Sequence, residues 1–131
     1  MLLALCFVPP FNNIIYCLKI QAHLGSTTAM LKLVEIDGRH NYYWLLMAAE
    51  HGNTEAIFGI GNLNRPKPGA LIWYKRGAEL GDEACMIEVG KAYEYGWYGV
   101  KVDKIEAKNW YAKAWAIRKE EIQKHGVWGL K

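Results

Sequence analysis

The sequence has few of the residues from which metal sites and disulfide-rich folds are built. Its 131 residues include three cysteines, Cys6, Cys17 and Cys85, and no two of them are close in sequence. This spacing excludes a zinc-finger type of site, and a disulfide framework would leave one thiol over. We expect the cysteines to be small buried hydrophobic residues, and we predict that the protein binds no metal and no cofactor.

Long apolar runs and basic runs are also missing. The apolar start, MLLALCFV, stops at Pro9 and Pro10, far short of the ~20 residues that span a bilayer. It lacks the positive charge of a signal peptide, so we expect it to belong to the fold of a cytoplasmic protein, with the periplasm as the alternative. The net charge of +3 comes from scattered lysines and arginines, which argues against a nucleic-acid partner.

Motifs of enzymatic chemistry are absent as well. The chain contains no HExxH, GxSxG, phosphate loop or CxxC pattern. His23 and His51 stand just before glycines at predicted helix ends, where a cation suits the helix dipole. Gly96 and Gly99 have no lysine, serine or threonine in the register that a phosphate site needs, and aromatic residues stand between them instead. We therefore predict that the protein is not an enzyme.

Hydrophobic residues and glycines are present in quantity. The chain is 52% hydrophobic and 22% charged, which is typical of one globular domain. Gly25, Gly52 and Gly81 share one local pattern: an alanine three residues before, a helix N-cap residue directly after, and a small residue four positions after. The residues of this pattern are Ala22, Ser26 and Ala29; Ala49, Asn53 and Ala56; and Ala78, Asp82 and Cys85.

This pattern predicts pairs of helices. A glycine in the left-handed C′ position ends one helix, and the cap residue begins the next. We predict the first helix of each pair, helix A, over residues 29–36, 56–63 and 85–93. We predict the second, helix B, over residues 13–25, 41–52, 70–81 and 107–118. Asp103 and Glu106 have the spacing of a capping box at the start of the last helix B.

Residues 85–114 resemble a known repeat. Between Cys85 and Ala114 the matching residues are Gly90, Tyr93, Gly99–Val100, Asp103, Ala107 and Trp110–Tyr111. In this order they resemble the Sel-one-like repeat, a relative of the tetratricopeptide repeat. The match is good over residues 56–81, with Gly61, Ala70 and Trp73–Tyr74. It is weaker over residues 29–52, where Leu33–Val34 replaces the Leu-Gly pair of the family.

The resemblance implies an all-α fold, a right-handed α-solenoid of about four antiparallel helix pairs with a C-terminal capping helix. We expect one repeat domain with units at 1–25 (partial), 26–52, 53–81 and 82–118 and a cap at 119–131. Trp110 and Tyr111 would be framework residues, and Trp115 would cover the open end of the solenoid. The apolar residues 1–8 would otherwise be exposed, which predicts a homodimer through that end or a chain that is incomplete there.

The resemblance also implies a function, which is that of a protein–protein interaction module, an adaptor or scaffold. A protein or peptide partner would bind the concave face formed by the A helices and the loop that follows the last of them. The candidate binding residues are Lys32, Glu35, Asn62, Leu63, Glu88, Lys91, Trp97 and Tyr98. For Trp97 and Tyr98 two interpretations remain: they fold back over the neighbouring helix, or they form an exposed aromatic anchor of the kind found at binding hot spots.

Two further functions compete with the adaptor. The family includes bacterial immunity proteins, so the chain could neutralise a cognate secreted toxin such as a phospholipase. Cysteine-rich relatives have been linked to cell-wall ligands, but their paired cysteines are missing here. A small-ligand or enzymatic site therefore ranks last.

Overall fold

The structure is a computed structural model of the chain and describes residues 14–126. Within that range the secondary structure consists of seven α-helices and one short 3₁₀ turn, with no strand. The helices are α1 (Ile14–His23), α2 (Thr27–Ile36), α3 (Asn41–Glu50), α4 (Thr54–Leu63), α5 (Gly69–Glu79), α6 (Glu83–Tyr95) and α7 (Lys104–His125), and the 3₁₀ turn is Trp97–Gly99. This confirms the predicted all-α fold. The A helices α2, α4 and α6 each begin two residues earlier than predicted, directly after the cap residue.

The three repeat glycines end their helices in the predicted manner. Gly25, Gly52 and Gly81 have φ angles of +93°, +82° and +89°, a region that residues with a side chain rarely adopt. At the last of them the Gly81 N–H donates to the Ala78 carbonyl and the Asp82 N–H donates to the Gly77 carbonyl, both at 3.0 Å. This pair of bonds is a Schellman motif. The same two bonds recur at Gly25 and at Gly52.

The residue after each glycine caps the next helix. Side-chain oxygens of Ser26, Asn53 and Asp82 each accept a hydrogen bond from the backbone N–H three residues on, at 3.3, 2.9 and 2.7 Å. Each bond satisfies one of the N–H groups that a helix start leaves without a partner. The glycine and the cap residue that follows it, two consecutive positions, therefore determine each boundary between a helix B and the next helix A.

The capping box predicted at the start of α7 forms only in part. Asp103 Oδ1 accepts hydrogen bonds from the backbone N–H groups of Ile105 and Glu106, at 3.1 and 3.0 Å. The Asp103 N–H, which a capping box would pair with the Glu106 side chain, donates instead to the Tyr93 carbonyl at 2.8 Å. Glu106 Oε1 accepts a hydrogen bond of 2.9 Å from Trp110 Nε1. The predicted capping box is therefore incomplete, because a backbone bond to α6 takes the place of its second bond.

The last helix B and residues 119–125 of the predicted cap form one continuous helix, α7, of 22 residues. Residues 127–131 of the predicted cap lie outside the described residues. No glycine interrupts α7, because Arg118 stands where the other repeats have their glycine. The Arg118 guanidinium forms an ion pair with Glu83 at 2.6 Å. Trp115 on this helix is 62% exposed. The alanines at the corresponding position of the other repeats, Ala49 and Ala78, are buried.

The contacts within the chain divide it into two compact units, with the boundary between Ala56 and Ile57 inside α4. The buried apolar residues of the first unit are Leu18, Ala22, Ala29, Met30, Leu33, Trp44, Ala48, Ala49 and Ala56. Those of the second unit include Ile57, Ile60, Ala70, Leu71, Tyr74, Ala78, Cys85, Met86, Val89, Ala92 and Tyr98. The single repeat domain remains a prediction.

In the second unit, glycines on the A helices make room for tyrosines on the B helices. A Cβ atom placed on Gly61 would lie 2.5 Å from Cε1 of Tyr74, and one placed on Gly90 would lie 2.6 Å from Cε1 of Tyr111. Both distances are shorter than carbon atoms tolerate, so the rings occupy the space that a side chain would fill. This packing supports the framework role predicted for Tyr111.

The two cysteines among residues 14–126 differ from each other, and Cys6 lies outside the described residues. Cys85 is free and buried, as expected, and burial raises the pKa of its thiol, which keeps it protonated. Cys17 is disulfide-bonded, so the expectation that it is simply a small buried hydrophobic residue was wrong.

Candidate functional site

The predicted binding residues lie on three helices and one turn. Lys32 and Glu35 are exposed on α2 of the first unit. Asn62 and Leu63 end α4, and Leu63 is 63% exposed. The other four belong to the second unit: Glu88 and Lys91 on α6, and Trp97 and Tyr98 in the turn that follows. Around these four the structure assembles a charged centre and a cleft.

Glu88 is the charged centre. It is 6% exposed, and each carboxylate oxygen accepts one charged hydrogen bond: Oε2 from Arg65 Nη2 and Oε1 from Lys91 Nζ, both at 2.7 Å. The two cations remain about two-fifths exposed. Glu88 thus joins the turn between α4 and α5 to α6, and a buried carboxylate with two cationic partners is stable because its charge is compensated.

Arg65 also holds Tyr98. Arg65 Nε donates a hydrogen bond of 2.8 Å to the Tyr98 hydroxyl oxygen. This bond, together with the nearby Glu88 carboxylate, raises the pKa of Arg65 further, so the guanidinium stays charged. Arg65 therefore holds two residues that are distant from it in sequence, Glu88, 23 residues on, and Tyr98, 33 residues on.

Tyr98 adopts an unusual backbone conformation. Its φ of +58° is the one positive value at a non-glycine position between residues 14 and 126, and such a conformation costs about 1–2 kcal/mol. The side chain is 8% exposed, and its ring lies 5.8 Å from that of Tyr74. Packing and the bond from Arg65 stabilise the strained turn.

Five aromatic rings connect the interior of the second unit to its surface. In order they are Phe58, Tyr74, Tyr98, Trp97 and Tyr95, with neighbouring centroids 5.8, 5.8, 6.3 and 5.1 Å apart. Tyr74 is fully buried, whereas Trp97 is 42% and Tyr95 57% exposed. The turn thus buries Tyr98 and presents Trp97 on a firm base of other rings.

A cleft of about 270 Å³ opens beside these rings. Its walls are Arg65, Pro66, Trp97 and Tyr98. We call these four residues together with Tyr95 the Trp97 surface. Sequence reasoning missed Arg65, Pro66 and Tyr95. The signal for the first two was the proline-rich turn NRPKPG, which holds the arginine among residues with little conformational freedom.

A second cavity of about 200 Å³ is lined by Glu94, Lys104, Ala107, Lys108 and Tyr111. Here the Tyr111 hydroxyl donates a hydrogen bond of 2.6 Å to Glu94 Oε2. Burial, followed by this bond, raises the pKa of Tyr111. The tyrosine thus remains a neutral donor that fixes α7 to α6.

The described residues offer little for catalysis. Across residues 14–126 there is no group of three or more histidine, cysteine or acidic side chains that could hold a metal ion. The Cys85 thiol, with its raised pKa, is a poor nucleophile. No helix in the same range is long and apolar enough to cross a membrane.

Paired helices with local glycine joints define an all-α helical-repeat protein. The model of one family, the Sel1 repeat, matches residues 37–53, 59–82 and 84–114, more than half of the sequence. The chain belongs to the Sel1 repeat family. This confirms the resemblance noted in the sequence. Sel1 repeats are protein–protein interaction modules rather than typical enzymes.

A solved structure agrees with the family match. The crystal structure of a Sel1 repeat protein from Oxalobacter formigenes is 30% identical to this chain and superposes with a TM-score of 0.69. The similarity covers 86% of this chain and 96% of the other. It supports an all-α helical-repeat solenoid. No curated protein matches the chain.

Proposed function

We propose that the protein binds a polypeptide partner through the Trp97 surface, as an adaptor or scaffold. The observation that carries the proposal is the exposure of Trp97 on a buried aromatic base. A large side chain that is already fixed loses little conformational entropy when it binds. Tryptophan and tyrosine are also the residue types enriched at binding hot spots.

The other predicted residues take different parts in this proposal. Glu88 positions Arg65 and thereby one wall of the cleft, so it acts through its neighbour. Lys91 donates to the same Glu88 carboxylate and keeps two-fifths of its side chain exposed. Asn62 Oδ1 accepts a hydrogen bond of 2.8 Å from the Tyr74 hydroxyl and supports the ring series. Lys32, Glu35 and Leu63 remain predicted contacts on the A helices.

The test is a comparison of two tryptophan variants. Trp97→Ala removes the anchor, whereas Trp115→Ala removes an equally large side chain that is 62% exposed on α7. Wild type and Trp115→Ala should capture the same partner from a lysate of the source organism, and Trp97→Ala should lose it. Circular dichroism should show equal helicity for all three. Equal capture by Trp97→Ala would contradict the proposal.

The immunity function is a narrower form of the same proposal. Its partner would be a secreted toxin, such as a phospholipase, bound by the same surface. A toxin gene beside this one, and inhibition of its purified product by wild type but not by Trp97→Ala, would support it. An adaptor instead predicts a partner whose own activity is unchanged by binding.

Location and assembly also remain predictions. The disulfide at Cys17 favours an oxidising compartment such as the periplasm over the cytoplasm, and fractionation of cells would decide between them. The predicted homodimer depends on residues 1–8, which lie outside the described residues. Light scattering on the full chain would test it.

A further inference from the structure

The charges around the Trp97 surface do not cancel. Glu88 is a single carboxylate shared by two cations, Arg65 and Lys91, so this centre keeps one net positive charge. Both carboxylate oxygens are already occupied by these bonds. Neither cation is sequestered, since each has about two-fifths of its side chain exposed.

Two further lysines lie on the turns that carry the cleft. Lys67 is exposed directly after Pro66, and Lys101 is exposed three residues after Tyr98. The turns approach each other, because a Cβ atom on Gly99 would lie 3.7 Å from Pro68 Cγ. Neither lysine forms an ion pair with another described residue.

Acidic residues on these turns do not balance the lysines. Asp103 is the acidic residue of the two turns, and its Oδ1 is engaged with the two N–H groups at the start of α7. On α6, Glu94 belongs to the second cavity, where its Oε2 accepts the hydrogen bond from Tyr111. Four cations, Arg65, Lys67, Lys91 and Lys101, therefore stand against two carboxylates, Glu88 and Asp103. A positive surface beside an apolar cleft favours a partner of the opposite charge.

The size of the cleft limits what fills it. Its volume of about 270 Å³ lies at the lower edge of the roughly 300–1,000 Å³ range of small-molecule pockets, so the chemistry of its walls is the stronger guide to its occupant. Walls made of two aromatic rings and a proline suit one apolar side chain of a polypeptide. A nucleic acid would instead need a row of cations that follows its backbone, and here two of the four cations share one carboxylate.

We infer that the Trp97 surface binds an acidic segment of the partner polypeptide, with one apolar side chain in the cleft and flanking carboxylates beside Lys67 and Lys101. This inference rests on the proposed function. It specifies the chemistry of the partner, which the proposed function leaves open.

The first experiment selects the ligand without a known partner. Random peptides displayed on phage are selected on the immobilised full chain, after depletion on the Trp97→Ala variant. The expected winners carry aspartate or glutamate on both sides of leucine, phenylalanine or proline. Winners that are basic or uncharged would overturn this inference and leave the proposed function standing. An absence of Trp97-dependent winners would overturn both.

The second experiment reverses the charge. The probe is a fluorescein-labelled peptide with the core Asp-Glu-Asp-Leu-Pro-Glu-Asp-Glu, and binding is measured by fluorescence anisotropy. Lys67→Glu/Lys101→Glu should weaken its affinity about tenfold or more, whereas Lys119→Glu on α7 is the matched control and should change it less than twofold. The version of the probe with lysines in place of the acidic residues should prefer the double variant. Equal affinity of wild type and the double variant for the acidic probe would overturn the inference.

Two other negatively charged ligands serve as competitors in the same assay. Vesicles of phosphatidylcholine and phosphatidylglycerol, and a single-stranded oligothymidylate, are added to the bound acidic probe. Neither should displace it at equal negative charge. Displacement of the probe from wild type, together with direct binding of the vesicle or oligonucleotide that Trp97→Ala abolishes, would assign the surface to a membrane or a nucleic acid and would overturn the inference.

Discussion

The two units of the molecule solve the same packing problem with different residues. In the first unit, Val34 lies eight residues after the cap Ser26 on α2, and Leu45 follows Trp44 on α3. The second unit has glycine and tyrosine at these positions in both of its helix pairs. A bulky residue on one helix thus goes with glycine on the other, and medium-sized residues go together. In the second unit the glycine leaves the space that the tyrosine ring fills, whereas Val34 and Leu45 of the first unit are both half-buried.

The units also differ in how they use a carboxylate. In the first unit Asp37 follows α2 and accepts hydrogen bonds from Lys19, His40 and Trp44 at 2.9, 3.2 and 3.3 Å. In the second unit Glu88 lies within α6 and is almost fully buried. Asp37 thus connects the turn that follows α2 to α1 and α3 near the surface. Glu88 connects a turn to the middle of a helix beside the cleft.

The largest expected effect comes from exchanging the packing residues. Gly61→Val should lower the free energy of unfolding by about 2–3 kcal/mol, because the new side chain meets the Tyr74 ring. Adding Tyr74→Leu reproduces the pair of the first unit and should recover at least about 1 kcal/mol relative to the sum of the single changes. Urea denaturation measures all three variants.

The control for this cycle is Gly38→Val, because nothing lies within 4 Å of a Cβ at Gly38. It should change stability by less than about 0.5 kcal/mol. If Gly61→Val were equally harmless, the glycine–tyrosine pairing would not be what sets the spacing of these helices.

Removing the buried charge should have the next largest effect. Glu88→Gln keeps the shape but leaves two cations facing a neutral amide, and we expect a loss of about 2 kcal/mol in unfolding free energy. Glu120→Gln is the control, since its partner Lys124 is 4.0 Å away and both side chains are about 70% exposed. That change should cost almost nothing. Similar losses in the two variants would refute the special role of Glu88.

Alkaline pH should destabilise the second unit. Burial raises the pKa of both Tyr74 and Tyr111 above the usual value of 10.0, so folding favours the neutral phenol. Their contribution is complete below about pH 10 and is lost as the pH rises further. Urea midpoints of wild type should fall above that pH, and Tyr111→Phe should fall less steeply. Tyr42→Phe, at an exposed position of the first unit, should follow wild type.

Acid should act on the first unit, with the smallest effect of the four. The hydrogen bond from Lys19, then those from His40 and Trp44, lowers the pKa of Asp37 from 3.8 to about 2. Its stabilisation is present above about pH 4 and is lost as the pH falls toward 2. Asp37→Asn should flatten the decline of the urea midpoint over that interval. An unchanged slope would show that the three bonds do not favour the charged form.

The features that could be predicted from the sequence are those determined by residues close together along the chain. The glycine at 81 and the cap at 82 each act within a few residues, so their pattern could be recognised directly. The Arg65–Glu88 pair spans 23 residues and depends on where a proline-rich turn places one side chain. No local pattern encodes that placement. For the same reason Glu88 was expected on an open binding face, although its side chain is almost fully buried.

The aromatic pair of the turn shows the same limit. Composition marks Trp97 and Tyr98 as unusual, but the left-handed backbone at Tyr98 decides which of them turns inward. That conformation is stabilised by Arg65 and by the Tyr74 ring, both distant in sequence. The candidate residues were therefore predictable as a group, and their individual exposure was not.

The glycine joints have a consequence for how such chains change in length. Every bond at the joint of Gly81 and Asp82 is made within about five residues on either side, and the same holds at Gly52 and Asn53. A copy of residues 53–81 inserted after Gly81 would carry its own N-cap residue and its own terminal glycine, so the backbone groups at both of its ends would have their hydrogen-bond partners. Duplication in tandem, rather than gradual lengthening of a helix, is thus the route of growth that this architecture tolerates with least disturbance.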